Sequence, residues 1–301
     1  MSTVHWLALT TVSGIGGATA RKLIERFGDV ESIFEASPAE LIEIPRVTEA
    51  MAAQLLAAPL DQLETELLSL NDEGIELLTW ADDRFPALLR PLPDAPLVLF
   101  MRGALAADDE QAAAIVGTRQ PSRSAVEVAY TIGRELAARG LTVVSGLALG
   151  IDTAAHRGAI ETGRTIAVLG SGIRHVHPHE NAGLAEEVAG CGAVLSELHP
   201  NTPPKGQHLM ARDRLVSGLS RAVIVVEAGD RSGSLDTASK AQKQGRVVYA
   251  VPGSTGTDQL LASGALRIEP ESVDFDQLAR EISNLSAPNT PRQTPRQATL
   301  W

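Results

Sequence analysis

Between Ile115 and Gly253 short apolar runs alternate with small-residue loops and amphipathic stretches, six times over. The runs are Ala113–Val116, Leu141–Val144, Thr165–Leu169, Ala193–Leu195, Ala222–Val226 and Val247–Val251. Each is apolar and rich in β-branched residues, the signature of strands covered on both faces by helices. Few architectures accept that pattern. It predicts an α/β domain, an extended Rossmann-like, doubly wound and mostly parallel sheet, with its ligand beyond the carboxyl ends of the strands. Those ends carry Gly117-Thr118-Arg119, Ser145-Gly146, Gly170-Ser171-Gly172, Ser196-Glu197, Glu227 and Pro252-Gly253. Most offer backbone amides, hydroxyls or a guanidinium, the groups that hold phosphates, so the expected ligand is an anion.

Charge seems at first to argue against nucleic acid, because the formal net charge is −11. Its distribution changes that conclusion. Residues 1–111 hold 7 basic and 19 acidic side chains, whereas residues 112–275 hold 16 of each. The acidity lies in the first third, and the Rossmann-like part remains able to gather arginines on one face. The chain of 301 residues has no run of about 18 apolar residues and no basic-then-apolar leader, so no membrane span or secretion signal is expected. Its single cysteine, Cys191, lies between Gly190 and Gly192 and reads as a small core residue in a reducing, cytoplasmic setting.

The expected organisation has three parts. Residues 1–70 form a small all-helical domain, 71–285 the Rossmann-like domain, and 286–301 a disordered tail rich in Pro, Thr, Gln and Asn. In the first part, Val12-Ser13-Gly14-Ile15-Gly16-Gly17 is a tight turn before a helix, resembling the hairpin of a helix-hairpin-helix motif. Its exposed amides could touch one phosphate, or the turn could serve packing or protein docking. A weaker copy without glycines follows at Leu41–Val47. Ile75–Trp80 and Leu97–Phe100 read as two further strands flanking a Pro-rich connector.

Two nucleotide-enzyme templates fail. No Gly-Lys-Ser/Thr ending is present, and His175 stands where a dinucleotide fingerprint needs its third glycine. His175, His177 and His179 alternate, but Pro178 interrupts them and no cofactor or metal is expected. Asp152 and His156 lie one helical turn apart, which suits either an acid–base pair or a helix cap. The anion-binding features agree better with one another. Arg119 precedes a helix expected to begin near Ser122 and Ser124. Ser232-Gly233-Ser234-Leu235-Asp236-Thr237 opens another, and Lys205 and Arg212-Asp213-Arg214 lie between them in sequence. Such a set could hold successive phosphates of a polymer or those of one nucleotide. Arg212 and Arg214 could equally pair internally.

Taken together, Gly117-Thr118-Arg119, the run Ser145–Asp152 with His156, Ala167–Gly170, Ser196-Glu197, Arg212–Ser220, Val226-Glu227-Ala228, Ser232–Ala238 and Val251-Pro252-Gly253 resemble the DNA-processing protein A family, also called DprA or Smf. The likeness runs in order over roughly residues 75–270, and the N-terminal part is similar to that family's sterile-alpha-motif-like domain. The resemblance implies binding of single-stranded DNA without hydrolysis, loading of the RecA recombinase during natural transformation, and a homodimer. It places DNA contacts on Arg119 and Lys205, and the site expected here comprises Gly117, Thr118, Arg119, Ser122, Ser145, Gly146, Lys205, Arg212, Arg214, Ser232, Gly233, Ser234 and Thr237.

Three departures stand out. Asp213 replaces the family's asparagine, Leu209 replaces an aromatic that would stack on a base, and the segment after Pro252-Gly253 is shortened, with no winged-helix domain expected after it. With an aromatic content of 3%, affinity is expected to come mainly from backbone contacts, with little sequence preference. The other readings are a mononucleotide-binding or nucleotide-hydrolysing enzyme with Glu227 or Asp152 as its acid, and a scaffold docking basic proteins on the acidic domain. Finally, Gln297-Ala298-Thr299-Leu300-Trp301 resembles a bacterial sliding-clamp-binding peptide. A clamp pull-down should therefore lose recovery when these five residues are removed; equal recovery ends the idea.

Overall fold

The computed structural model describes residues 3–285, so the proposed tail and its Gln297–Trp301 peptide lie outside the described residues. The chain starts with six helices, α1 (Thr3–Thr11), α2 (Gly17–Phe27), α3 (Val30–Glu35), α4 (Pro38–Ile42), α5 (Glu49–Leu56) and α6 (Leu60–Asp72). Side-chain caps set the starts of α3, α4 and α5: Asp29 accepts from the amide of Ser32, Ser37 forms a capping box with Glu40, and Thr48 accepts from the amide of Met51.

Two strands follow, β1 (Glu76–Thr79) and β2 (Val98–Gly103), separated by the Pro-rich connector. The alternating part then runs β3 (Ala112–Val116), α7 (Arg123–Ala137), β4 (Thr142–Ser145), α8 (Ile151–Thr162), β5 (Thr165–Val168), α9 (Ala182–Cys191), β6 (Ala193–Ser196), α10 (Gly206–Gly218), β7 (Ala222–Val225), α11 (Gly233–Lys243) and β8 (Val247–Ala250). After it come α12 (Thr255–Ala262), β9 (Leu266–Arg267) and α13 (Phe275–Asn284). All six expected strands appear, each within a residue of its expected limits. No helix among the described residues is long and apolar enough to cross a membrane.

The strands join one nine-stranded sheet in the order β1-β2-β6-β5-β4-β3-β7-β8-β9. The two early strands do enter it: β2 pairs antiparallel with both β1 and β6, and every other pairing is parallel. The chain builds outward from β3 to β6, then returns to lay β7 on the other side of β3. That reversal puts a topological switch point between β3 and β7, where the loops diverge and leave a crevice.

Helices α7, α8 and α13 cover one face through Ile132, Leu136, Ala155 and Ile282, packed on Ile115, Val143 and Ile224. Helices α10 and α11 cover the other through Leu215, Val216, Ala238 and Ala241. The N-terminal helices share a single apolar cluster with the sheet's antiparallel side, in which Leu7, Leu23 and Ile33 join Phe100, Leu169 and Val194.

Helices α7 and α8, both of which start at the rim of the crevice, touch backbone to backbone. A Cβ added at Gly158 would lie 2.0 Å from the carbonyl oxygen of Tyr130, and one at Gly133 2.4 Å from that of Ala155. Gly158→Ala should therefore destabilise the fold by about 2 kcal/mol, the usual cost of overpacking. Thermal denaturation reads it, and an unchanged midpoint would mean the helices have room to part.

Candidate nucleic-acid interface

At the switch point the loops after β3, β4 and β7, together with α10 and the start of α11, enclose a cleft of about 800 Å³. Its floor is built on Arg212. This side chain is 5% exposed, and its Nη1 donates to the carbonyls of Gly146 (2.5 Å) and Val168, while Nε donates to Asp213 (3.2 Å). A Cβ at Gly146 would sit 2.2 Å from Nη1, so a side chain there would displace the guanidinium from its carbonyls. Nη2 has no hydrogen-bond partner among the described residues, so one edge of the guanidinium is left for a ligand.

Two carboxylates balance that buried cation. Asp152, in the first turn of α8, accepts the amides of Gly146 (3.0 Å) and Ala148 (3.3 Å) and so folds the β4–α8 loop back on the helix start. Burial pushes its carboxyl up, against the pull of Arg212 and those two amides. Burial likewise raises Asp213 to about 6, with Arg212 and Lys240 pulling down and Asp152 and Asp236 adding to the rise.

The rim differs because its cations are free. Arg119, in the loop after β3, lines the cleft, is exposed, and makes no hydrogen bond or ion pair among the described residues. Arg231, after β7, has the same standing; its neighbour Asp230 makes the pair look like an ordinary charged turn, which is why the sequence reading passed over it. Lys205, the exposed residue that precedes α10, is not itself a lining residue; it immediately precedes one, Gly206, and has no partner among the described residues. Gly117 and Thr118 line the cleft, and so do Ser232, Gly233, Ser234 and Thr237. Ser232 precedes α11 without capping it; its hydroxyl bonds to that of Ser234 (2.8 Å). No carboxylate caps the first amides of α11, so that end of the helix stays open to an anion.

Four expected contacts are corrected. Ser145 is fully buried, its hydroxyl donating to the carbonyl of Ile115 (2.6 Å), and it cannot reach a ligand. Arg214 lies outside the cleft lining: its two amino groups hold Glu197 (2.8 and 2.6 Å) and its Nε meets Asp94 (3.1 Å), tying α10 to the end of β6 and to the Pro-rich connector. The start of α7 is already occupied, because Ser122 caps it and Glu227 accepts both the Ser122 hydroxyl (2.5 Å) and its amide. Asp152 and His156 form neither an acid–base pair nor a helix cap. His156 bonds through Nδ1 to Thr165 Oγ1 (2.7 Å), and that hydroxyl donates onward to Val143, which assigns the proton to Nδ1. Burial lowers His156 to about 3, so the ring is neutral.

Asp213 carries a pH signature. Its pKa in the fold, about 6, exceeds the ordinary carboxyl value of 3.8. The stability associated with the protonated form is complete below pH 4 and is lost as pH rises through 6, at most about 3 kcal/mol. Asp213→Asn keeps an oxygen for Arg212 and removes the charge. It should raise the melting temperature at pH 7.5 and leave it nearly unchanged at pH 4; equal shifts at both pH values would contradict the assignment.

Comparison with known proteins identifies the family. The model of the DNA recombination-mediator protein A family matches residues 76–278, and that of the SAM-like helix-hairpin-helix tandem matches residues 7–58. DNA processing protein DprA of Bacillus subtilis is 35% identical over 261 residues, 81% of this chain and 88% of that protein. Protein Smf of Escherichia coli is 34% identical over 91% of this chain and 74% of its own length. Among solved structures, DNA processing protein A of Streptococcus pneumoniae superposes with a TM-score of 0.78 at 32% identity, over 89% of this chain and 95% of that one. DNA processing protein A of Helicobacter pylori, whose structure is described for its single-stranded DNA binding mode, gives 0.62 at 30% identity, over 69% and 94%. The chain therefore belongs to the DNA recombination-mediator protein A family, that of the DprA and Smf proteins.

Proposed function

We propose that this protein binds single-stranded DNA in the switch-point cleft, without turning it over, and presents the strand to a RecA-type recombinase. One observation carries the reading: Arg119, Lys205 and Arg231 are exposed and unpaired among the described residues, around a cleft whose floor is a buried arginine. Free cations at fixed positions attract a polyanion by releasing its counterions, whatever its base sequence. The Helicobacter pylori relative, described for single-stranded DNA binding, supports the choice of ligand. A homodimer working in the cytoplasm on incoming DNA is the setting we infer from the family, and the Gln297–Trp301 peptide would add a sliding clamp to its partners.

A mononucleotide-hydrolysing enzyme is less well supported. Of its two candidate acids, Glu227 is bound to the start of α7, and Asp152 is buried, holding two backbone amides. Glu227 is not a lining residue, and although Asp152 is, its carboxylate is taken up by those amides.

Arg119→Ala, Lys205→Ala and Arg231→Ala should each weaken binding of a labelled oligonucleotide about tenfold, the worth of one charged hydrogen bond. The loss should be alike across base sequences, and the slope of log affinity against log salt should fall by about 1 for each. Fluorescence anisotropy at several salt concentrations measures both. Wild-type affinity in the triple variant would remove the cleft as the site.

A further inference from the structure

Among the exposed side chains of the cleft, one does not suit a phosphate. Met210, on α10 between Gly206 and Arg212, is 55% exposed and lines the cleft, whose other exposed lining residues are polar, charged or glycine. Leaving a large apolar side chain in water there forgoes burial for no gain to the fold. The preceding residue, Leu209, supplies the packing instead. It fits where Gly170 has no side chain, since a Cβ on that glycine would lie 2.7 Å from Leu209. Met210 is thus the side chain of this turn that the protein interior does not use.

Its backbone is anchored. Lys240 of α11 donates through Nζ to the carbonyl oxygen of Met210 and to Asp236 (2.6 Å), tying this turn of α10 to the neighbouring helix. From there the thioether lines the same cleft as Arg119, Arg231 and Arg212. Phosphate and sugar offer a sulfur nothing, whereas the face or edge of a heteroaromatic ring makes a favourable, polarisable contact with it.

We propose that Met210 contacts an unpaired nucleobase and so gives the cleft its preference for single over double strands. The inference rests on the proposed function of the same cleft. It adds to the expectation that affinity here comes mainly from the backbone: the base contact absent at Leu209 is made one residue later. A duplex stacks its bases inward and has none to offer, whereas every base has a ring face, so the contact selects strandedness without selecting sequence.

The test uses the full-length protein and two labelled oligonucleotides of equal length, one of thymidines and one with abasic sites at its centre. The wild type should bind the abasic strand about threefold to tenfold more weakly, the range of a sulfur–ring contact. Met210→Ser should bind the thymidine strand as weakly as the wild type binds the abasic one, and should bind the abasic strand unchanged. Met210→Phe, equally exposed, should restore the difference between the two. The inference is overturned if Met210→Ser loses affinity equally for both strands, or if the wild type does not distinguish them. Those results leave the phosphate reading standing. Wild-type binding to both strands that is insensitive to Arg119→Ala would overturn the proposed function instead.

Discussion

The architecture of the cleft depends on one buried guanidinium. Arg212 reaches from α10 to the ends of β4 and β5 and gives one amino group to the carbonyls of Gly146 and Val168. A cation so enclosed survives only with its protons and its charge answered. That demand accounts for the residues around it. A side chain at Gly146 would push the guanidinium off those carbonyls, Asp152 holds the loop at the start of α8, and Asp213 gives Nε an acceptor oxygen. The same contacts close the β4–α8 loop and set the depth of the crevice, so the fold's solution to burying Arg212 is also its preparation of a binding floor.

Around that floor the charges divide into used and unused. Residues 112–275 carry as many acidic as basic side chains, yet the acids that line the cleft are engaged inside the protein. Asp152 and Asp213 face Arg212, and Asp236 faces Lys240; beyond the lining, Glu197 holds Arg214 and Glu227 holds Ser122, the cap of α7. Arg119, Lys205 and Arg231 are left over at the rim. A neutral domain thereby presents a local positive field, which the net charge of the whole chain conceals.

Much of this was legible in the sequence because the parallel strands are short, wholly apolar and separated by helical spacing. Each strand run from Ala113 to Val251 could be placed within a residue, and the ends of those runs pointed to one edge of the sheet. Strand order was not legible, since nothing local to β7 says that it pairs with β3 rather than β6. Partners remote in sequence decided the rest. Arg214 looked like a phosphate ligand until Glu197 and Asp94 took up its guanidinium, and Ser122 until Glu227 did the same for the start of α7. Arg231 went unmarked for the opposite reason: beside Asp230 it resembled a paired turn, yet it is unpaired.

The merging of the N-terminal helices with the sheet reaches beyond the site. Phe100 and Val194 are buried in one cluster with Leu7, Leu23 and Ile33 and with Leu184 and Val188 of α9, so the acidic lobe packs with α9 on the antiparallel side of the sheet and does not hang from it as a bead on a string. Removing that lobe would bare the apolar flank of the sheet to water, and a Rossmann-like fragment made this way would tend to clump. Melting should accordingly be all-or-none across both lobes.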